Sequence, residues 1–195
     1  MKTIIWDVDD VLNDLMKSWF ENLWLRKHPQ LRVTYESLTE NPPHHILKIG
    51  LEAYQRSLDQ FRLSEAFTSM EPNTQILQWF KAHGHKCRHI ALTATPLETA
   101  HVSASWVTKH FGRWIRTFAF VPSERPNQSL PVYEKTKYDY VKWIGQGDVI
   151  IDDNPDNLTA FSNTGMVLLG IRQPWNPHGL LMSDVLKRLT QLISS

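Results

Sequence analysis

Residues 3–10, TIIWDVDD, join a short apolar run directly to three acidic side chains. An unbroken apolar run without alternating polar residues is typical of a strand that is covered on both faces of a parallel sheet. Further runs of this kind lie at residues 88–93, 115–121, 148–152 and 166–171. The pattern therefore predicts five buried strands, of which the first covers residues 3–8.

Helical patterns fill the segments between these runs. Apolar residues three and four positions apart form an amphipathic stripe across residues 12–24. After the second strand, Thr95-Pro96-Leu97-Glu98 indicates a capping box with Pro96 at the first helical position. From residue 72 onward helices and strands alternate, which predicts a doubly wound, mainly parallel Rossmann-like α/β sheet.

One long segment does not follow this alternation. Residues 14–71 contain helical patterns but no convincing strand, and a break at residues 41–43. We therefore expect an α/β core made of residues 1–13 and 72–195, with residues 14–71 inserted after the first strand and helix as a small helical cap.

Composition narrows the class of protein. The chain has 195 residues, 42% hydrophobic and 21% charged, which allows a large core and excludes a wholly disordered chain. A net charge of +1 counts against a protein that holds nucleic acid through a basic face. Cys87 is the only cysteine, which fits a reducing, cytoplasmic compartment. We expect no signal peptide and no membrane span, since no uncharged run approaches roughly 20 residues.

Polar side chains follow the predicted strands at their carboxyl ends, where open parallel sheets bind ligands. They are Asp7, Asp9, Asp10 and Asp14 after the first strand, Thr93 and Thr95 after the second, Asp152 and Asp153 after the fourth, and Lys135 and Lys137 on the helix before the fourth. Each group alone has a common structural explanation as a turn residue, a helix cap or a solvated charge. Their convergence on one edge of the sheet favours a functional site.

The chemistry of this set points to phosphate. Carboxylates that converge repel one another unless a cation joins them. Mg²⁺ is the cation we expect, because it binds a few carboxylates together with water and substrate phosphate. Asp7 and Asp9 are two positions apart, so both would point the same way from an extended strand. One could attack phosphorus to form an aspartyl-phosphate while the other handles protons.

Four motifs resemble those of the haloacid dehalogenase (HAD) superfamily, which includes aspartate-nucleophile phosphohydrolases. They are residues 4–12, IIWDVDDVL, residues 90–93, IALT, residues 137–141, KYDYV, and residues 149–153, VIIDD. The resemblance implies a HAD-like fold and Mg²⁺-dependent hydrolysis of small phosphate esters. The intact second Asp, Asp9, favours phosphate esters over carbon–halogen bonds.

The resemblance also implies roles for individual residues. Asp7 would be the nucleophile, Asp9 the general acid/base with its backbone carbonyl on the metal, and Thr93 a donor to a phosphoryl oxygen. The implied catalytic residues are Asp7, Asp9, Thr93 and Lys137, and the implied metal ligands are Asp7, Asp9, Asp152 and Asp153. The candidate substrate-binding residues are Thr93, Ala94, Lys137, its alternative Lys135, and Tyr35.

The sequence departs from the superfamily pattern at Asp10, where such phosphatases commonly carry Gly. Gly permits backbone shapes that Asp adopts less readily, so either the turn differs or Asp10 touches water bound to the metal. A narrower resemblance, to 5′(3′)-deoxyribonucleotidases, rests on residues 151–155, IDDNP, on residues 173–176, QPWN, and on the small helical cap. It implies (deoxy)nucleoside monophosphates as substrates.

Several alternatives stay open. Tyr35 or Phe61 could stack on a nucleobase, whereas the aromatic stripe at residues 12–24 is expected in the core. His83, His85, Cys87 and His89 alternate in a way that could hold zinc, although a second pair of ligands is missing. Sugar phosphates, other small phosphorylated metabolites and polynucleotide ends are alternative substrates. A phosphate-binding or scaffolding protein is the non-enzymatic alternative, and a homodimer is left open.

Overall fold

The computed structural model describes residues 1–126 and 131–194. Its centre is a five-stranded parallel sheet with the order β3-β2-β1-β4-β5. The strands are β1 (Thr3–Trp6), β2 (Arg88–Thr95), β3 (Thr117–Pro122), β4 (Val149–Asp152) and β5 (Val167–Gly170). All five predicted strands are present, and the predicted doubly wound α/β fold is confirmed.

Helices precede and follow the strands in the predicted alternation. They are α1 (Leu15–Trp19), α2 (Leu25–Lys27), α3 (Leu51–Arg62), α4 (Glu65–Thr68), α5 (Thr74–His83), α6 (Leu97–Phe111), α7 (Lys137–Ile144), α8 (Pro155–Ala160) and α9 (Met182–Ser194). Short 3-10 turns lie at Tyr35–Ser37 and Gly84–Lys86. In the sheet order β3-β2-β1-β4-β5, the chain proceeds in one direction from β1 to β3 and in the other from β4 to β5. The direction thus reverses between β1 and β4, and open α/β sheets bind ligands at such a point.

The strands are apolar because both faces of the sheet are covered. Trp6 belongs to the larger of two buried clusters, while its neighbour Ile5 belongs to the smaller one on the other face. The Trp6 indole N–H donates to Nδ1 of His89 at 3.1 Å, which satisfies the polar edge of a fully buried ring. The alternation of these side chains locks the register of β1 between its two neighbours.

The inserted segment, residues 14–71, holds α1 to α4 and contains no strand in this fully described stretch. A π-helical segment, Phe20–Trp24, joins α1 to α2. The three segments form one continuous helix that carries the predicted amphipathic stripe. Its aromatic residues, Trp19 among them, are buried, as the core interpretation expects. Phe61 is buried against Phe67 rather than available for stacking. The division into core and cap stays a prediction.

The start of α6 differs from the sequence-based expectation. Pro96 is the N-cap with extended backbone angles rather than the first helical residue, and no side chain caps the helix. Because β2 extends to Thr95, this side chain is buried at the strand end, with Oγ1 2.9 Å from Oγ1 of Thr99. The predicted capping box is therefore wrong, because Thr95 is the last residue of β2 and its hydroxyl contacts Thr99 instead of capping the helix.

Candidate active site

The pairing of β1 with β4 brings two predicted site residues together. Trp6 lies opposite Ile151, and the backbone N–H of Asp7 donates to the Ile151 carbonyl at 2.9 Å. Asp7 and Asp152 therefore leave adjacent strands side by side, and Asp153 follows. One carboxylate oxygen from each of the three lies within 4.8 Å of the others, and all three residues are buried. The predicted convergence of the strand ends is present in the structure.

Lys137, the first residue of α7, reaches into this group of carboxylates. Its ammonium lies 2.8 Å from Oδ2 of Asp7 and 2.7 Å from Oδ2 of Asp152, and its side chain is only 3% exposed. Three carboxylates and one ammonium leave two negative charges if every group is ionised. A dry site with that imbalance is expensive unless protons or a cation supply the missing charge.

Burial shows in the acidity of these groups. It raises the pKa of Asp7 well above its ordinary value, and Lys137 only partly offsets this. Burial, reinforced by the charge of Asp152, raises the pKa of Asp153 to about 8. Burial acts to lower the pKa of Lys137, but Asp152 and Asp7 outweigh it and raise that pKa. Without a cation, Asp153 therefore tends to hold a proton at neutral pH, and burial shifts the pKa of Asp7 in the same direction.

The donor set fits a divalent, oxygen-seeking cation. Among the described residues, Asp7, Asp152 and Asp153 form the one group of three or more acidic, His or Cys side chains close enough to share an ion. A 2+ charge would balance the two uncompensated negative charges, and Mg²⁺ is bound through a small number of carboxylates with water and phosphate. The Asp9 side chain lies outside this group.

Hydrogen bonds from neighbouring residues orient two of the carboxylates, Asp152 and Asp153. Asp152 accepts hydrogen bonds on Oδ1 from the backbone N–H of Asn154 at 2.9 Å and from Nδ2 of Asn157 at 3.1 Å. Asp153 accepts on Oδ2 from the indole N–H of Trp175 at 2.7 Å. Such bonds orient the oxygens that would face a metal ion. In the sequence, Trp175 stood out only within residues 173–176, QPWN, and Asn157, which lies on the helix after the acidic pair, was missed.

A cavity of about 340 Å³ opens over the carboxylates. Thr93 and Ala94, at the end of β2, line it together with Lys137. The Thr93 hydroxyl has no hydrogen-bond partner among the described residues, so it is available to a ligand in the cavity. Helix α3 supplies the facing wall, with Leu51, Tyr54, Gln55, Leu58 and Arg62 on one side of the helix.

Asp9 lies at the edge of this cavity and is held by a residue that the sequence did not single out. Nη2 of Arg62 donates to Oδ2 of Asp9 at 3.0 Å, and Nδ2 of Asn13 donates to Oδ1 at 3.3 Å. Arg62 is buried although it is charged. A signal for it exists in the sequence, because Arg62 is four and eight positions after the buried Leu58 and Tyr54, on the buried face of α3.

Asp10 occupies the left-handed backbone region expected of the usual glycine, with φ of 59°. Its Oδ1 accepts the backbone N–H of Met16 at 2.9 Å, and its carbonyl accepts Nε2 of Gln173 at 2.9 Å. Asp is among the non-glycine residues that enter this region most readily. The turn therefore keeps its shape without glycine.

Two of the candidate substrate-binding residues, Lys135 and Tyr35, do not line the cavity. Lys135 is exposed and is not among the described residues that line the cavity, and its backbone N–H donates to Oδ2 of Asp139. Tyr35 is absent from that lining as well. Its hydroxyl donates to Oε1 of Gln173 at 3.0 Å, and its ring packs edge-on against Trp175. Tyr35 thus supports the loop that carries Trp175, and Lys137 is the lysine that reaches the carboxylates.

The zinc alternative finds no support in the positions of its residues. His89 is buried, with Nε2 2.8 Å from the Gly84 carbonyl and Nδ1 on the Trp6 indole. Burial lowers the pKa of His89, as expected for a neutral ring in the core. His89 is therefore a structural residue, since both of its ring nitrogens already have hydrogen-bond partners.

Solved structures of low sequence identity share the architecture. A predicted phosphatase from Clostridium acetobutylicum matches with a TM-score of 0.64 at 11% identity, covering 97% of this chain and 98% of that one. A HAD-superfamily hydrolase of subfamily IA from Geobacter sulfurreducens matches at 0.55 and 10%, covering 99% and 96%. The fold is that of the HAD superfamily. The HAD-hydrolase YfnB from Bacillus subtilis, solved with magnesium, matches at 0.58 and 11%, covering 100% and 99%.

These HAD-fold neighbours are described as hydrolases and phosphatases, and at this identity they establish the fold alone. No protein-family model matches the sequence, and no curated protein matches it. The described helices include none with the length and apolar character that crossing a bilayer requires.

Proposed function

We propose that this HAD-fold chain is a Mg²⁺-dependent phosphomonoesterase that works through an aspartyl-phosphate on Asp7. The observation that carries the proposal is the buried group of Asp7, Asp152 and Asp153 around the Lys137 ammonium, at the carboxyl ends of β1 and β4. Three buried carboxylates around one ammonium are costly for stability alone, because protons or a bound cation must neutralise the excess charge.

The residues divide the reaction between them. A carboxylate oxygen of Asp7 would attack phosphorus as the ester oxygen leaves, and Asp9 would give that oxygen a proton. Asp9 would then take a proton from the water that attacks the phosphorus of the aspartyl-phosphate, which releases phosphate and restores Asp7. Lys137 would hold Asp7 in place and neutralise a phosphoryl oxygen, and the free hydroxyl of Thr93 would donate to another.

Asp7, Asp152 and Asp153 would hold Mg²⁺, which supplies positive charge to the phosphoryl oxygens when it is bound. Asp9 would contribute its backbone carbonyl rather than its side chain, which points toward Arg62. The Trp175 indole N–H and the Asn157 amide would keep two of the ligands oriented.

We further propose nucleoside monophosphates, including deoxy forms, as the substrates. The facing wall of the cavity offers apolar surface from Leu51 and Leu58 beside the Gln55 amide, which has no hydrogen-bond partner among the described residues. A flat heterocycle with a hydrogen-bonding edge suits such a wall. In this proposal residues 14–71 act as the cap that carries substrate selectivity.

Other small phosphorylated metabolites are the second candidate. One structural neighbour, from Lactobacillus delbrueckii, is described as a phosphoglycolate phosphatase, and it matches with a TM-score of 0.60 at 14% identity. A cytoplasmic location and a homodimer stay sequence-based predictions.

Hydrolysis of para-nitrophenyl phosphate tests the proposal. We expect turnover in Mg²⁺, loss of turnover in EDTA, recovery when Mg²⁺ is restored, and no turnover by Asp7→Asn with an unchanged circular dichroism spectrum. Lys135→Gln is the matched control, because Lys135 is exposed and outside the cavity, and it should keep full activity. Unchanged turnover by Asp7→Asn would remove Asp7 from the mechanism. A separate screen of nucleotides against sugar phosphates tests the proposed substrate class.

A further inference from the structure

Four charged side chains form an ion-pair network beside the carboxylate cluster: Asp9, Arg62, Asp59 and Arg125. Each of these side chains is less than a fifth exposed. Two positive and two negative charges balance within the network, so it needs no outside ion. The network is therefore separate from the charge imbalance around Lys137.

The network joins the insertion to the sheet at two points. Arg62 and Asp59 both come from the end of α3, whereas Asp9 follows β1 and Arg125 follows β3. Nη2 of Arg62 donates to Asp9 at 3.0 Å, and its Nη1 donates to Oδ1 of Asp59 at 3.1 Å. The position of α3 is thereby coupled to the position of the Asp9 carboxylate.

Arg125 fixes the other end of the network. Its Nε and Nη2 donate to the two oxygens of Asp59 at 2.6 and 2.9 Å, which is a bidentate pair. Its Nη1 donates to the Ser123 hydroxyl at 2.9 Å. Asp59 is thus held from the core, and it in turn restricts where the Arg62 guanidinium lies.

The contacts of Asp9 are unequal, which decides the role we assign. Oδ2 is held by the charged, buried guanidinium at 3.0 Å, whereas Oδ1 has only the longer contact with the Asn13 amide at 3.3 Å. Charge-assisted hydrogen bonds are the stronger and more directional of the two kinds. Oδ1 is therefore the oxygen left to exchange a proton, and Arg62 sets its direction.

We infer that Arg62 is a positioning residue for the proton transfer by Asp9, held in place by Asp59 and Arg125. This inference rests on the proposed phosphomonoesterase function. In the first step the Asp7–phosphorus bond forms, the bond from phosphorus to the ester oxygen breaks, and the Asp9 proton moves to that oxygen. Arg62 touches neither phosphorus nor the leaving oxygen and acts only through Asp9.

Leaving-group dependence separates this role from a structural one. The value of kcat/KM reports the steps through departure of the alcohol, and an alkyl alcohol needs a proton whereas para-nitrophenolate does not. With Arg62→Gln we expect kcat/KM to fall about a hundredfold for glycerol phosphate and by less than about tenfold for para-nitrophenyl phosphate. A variant that merely loosens the fold would lower both values by the same factor.

Three controls make the result decisive. Arg56→Gln removes an exposed guanidinium–carboxylate pair from the same helix and should leave kcat/KM unchanged for both substrates. Inorganic phosphate should inhibit Arg62→Gln as well as it inhibits the wild type, since Arg62 does not bind the phosphoryl group. In an Asp9→Asn background, Arg62→Gln should cause no further loss with glycerol phosphate, because the residue through which it acts is already disabled.

Equal losses on both substrates, weaker inhibition by phosphate, or additive losses in the double variant would each overturn the inference while the proposed function stands. Absence of hydrolysis by the wild-type chain in Mg²⁺ would overturn both. If Arg62→Gln does not fold, Arg62→Lys gives the same comparison, because it keeps the charge and loses the second donor nitrogen.

Discussion

Replacing Lys137 by Met removes the ammonium that lies between Asp7 and Asp152 while keeping a side chain of similar shape. Breaking a buried ion pair from one side costs about 3–5 kcal/mol, because the partner stays buried without compensation. Here the carboxylates can take up protons instead, since burial already raises the pKa of Asp7. We therefore expect a loss near the lower limit, about 3 kcal/mol at neutral pH in EDTA.

Thermal unfolding measures this loss. In a chain of this size each kcal/mol moves Tm by about 2–4 °C, so Lys137→Met should unfold about 6–12 °C below the wild type in EDTA. Mg²⁺ at a hundredfold excess over its Kd adds about 2.7 kcal/mol to the folded state, and it should stabilise the variant at least as much as the wild type. Because the ion and the ammonium neutralise the same carboxylates, loss of the ammonium should increase the stabilisation that Mg²⁺ gives to the folded state.

Lys135→Gln is the matched comparison, because it removes an exposed lysine two positions away and should change stability by less than about 0.5 kcal/mol. If Lys137→Met lowers Tm in EDTA by less than about 2 °C, the reasoning is refuted, because the ammonium then does not compensate the buried charge. The same holds if Mg²⁺ leaves the Tm of the variant unchanged.

Two further predictions concern the Asp153 carboxylate. Because burial raises the pKa of Asp153 to about 8, the folded state holds a proton that the unfolded state has lost, and stability in EDTA should fall as pH rises between about 4 and 8. Mg²⁺ should reduce this fall, and Tm measured across that range with and without Mg²⁺ would contradict the assignment if the two profiles ran parallel. Trp175→Phe removes the indole N–H from Asp153 and should weaken Mg²⁺ binding about 10–100-fold in a thermal-shift titration. Trp143→Phe, at a ring that is 70% exposed, should leave Mg²⁺ binding unchanged, and an equal effect of the two variants would reject the role given to Trp175.

The acidic cluster could be predicted from the sequence because each of its residues ends a recognisable apolar run. Parallel strands carry their carboxyl ends to one edge, so Asp7, Asp152 and Asp153 follow from strand assignment and register alone. The choice between Lys135 and Lys137 could not be made in the same way. It depends on where α7 begins, and a shift of two positions separates an exposed lysine from a buried one.

The spacing along α3 places Arg62 on the buried face of that helix, but its pairing with Asp9 could not be predicted, because the two residues are 53 positions apart and belong to no common motif. Only the packing of α3 against the turn after β1 makes the pair. Tyr35 was selected as an aromatic residue outside the helical stripe, but its hydroxyl is used by Gln173. The capping box at Thr95 failed for a related reason, since local sequence did not reveal that β2 continues through that residue.

The most direct test of the account is to find where the phosphoryl group goes. Enzyme mixed with para-nitrophenyl phosphate and Mg²⁺, quenched in acid within the first turnover and digested for mass spectrometry, should carry one phosphoryl group on the peptide that contains Asp7. Asp7→Asn should carry none. A phosphoryl group on a different residue, or hydrolysis that proceeds with no covalent intermediate in the wild type, would contradict the claim that Asp7 is the nucleophile.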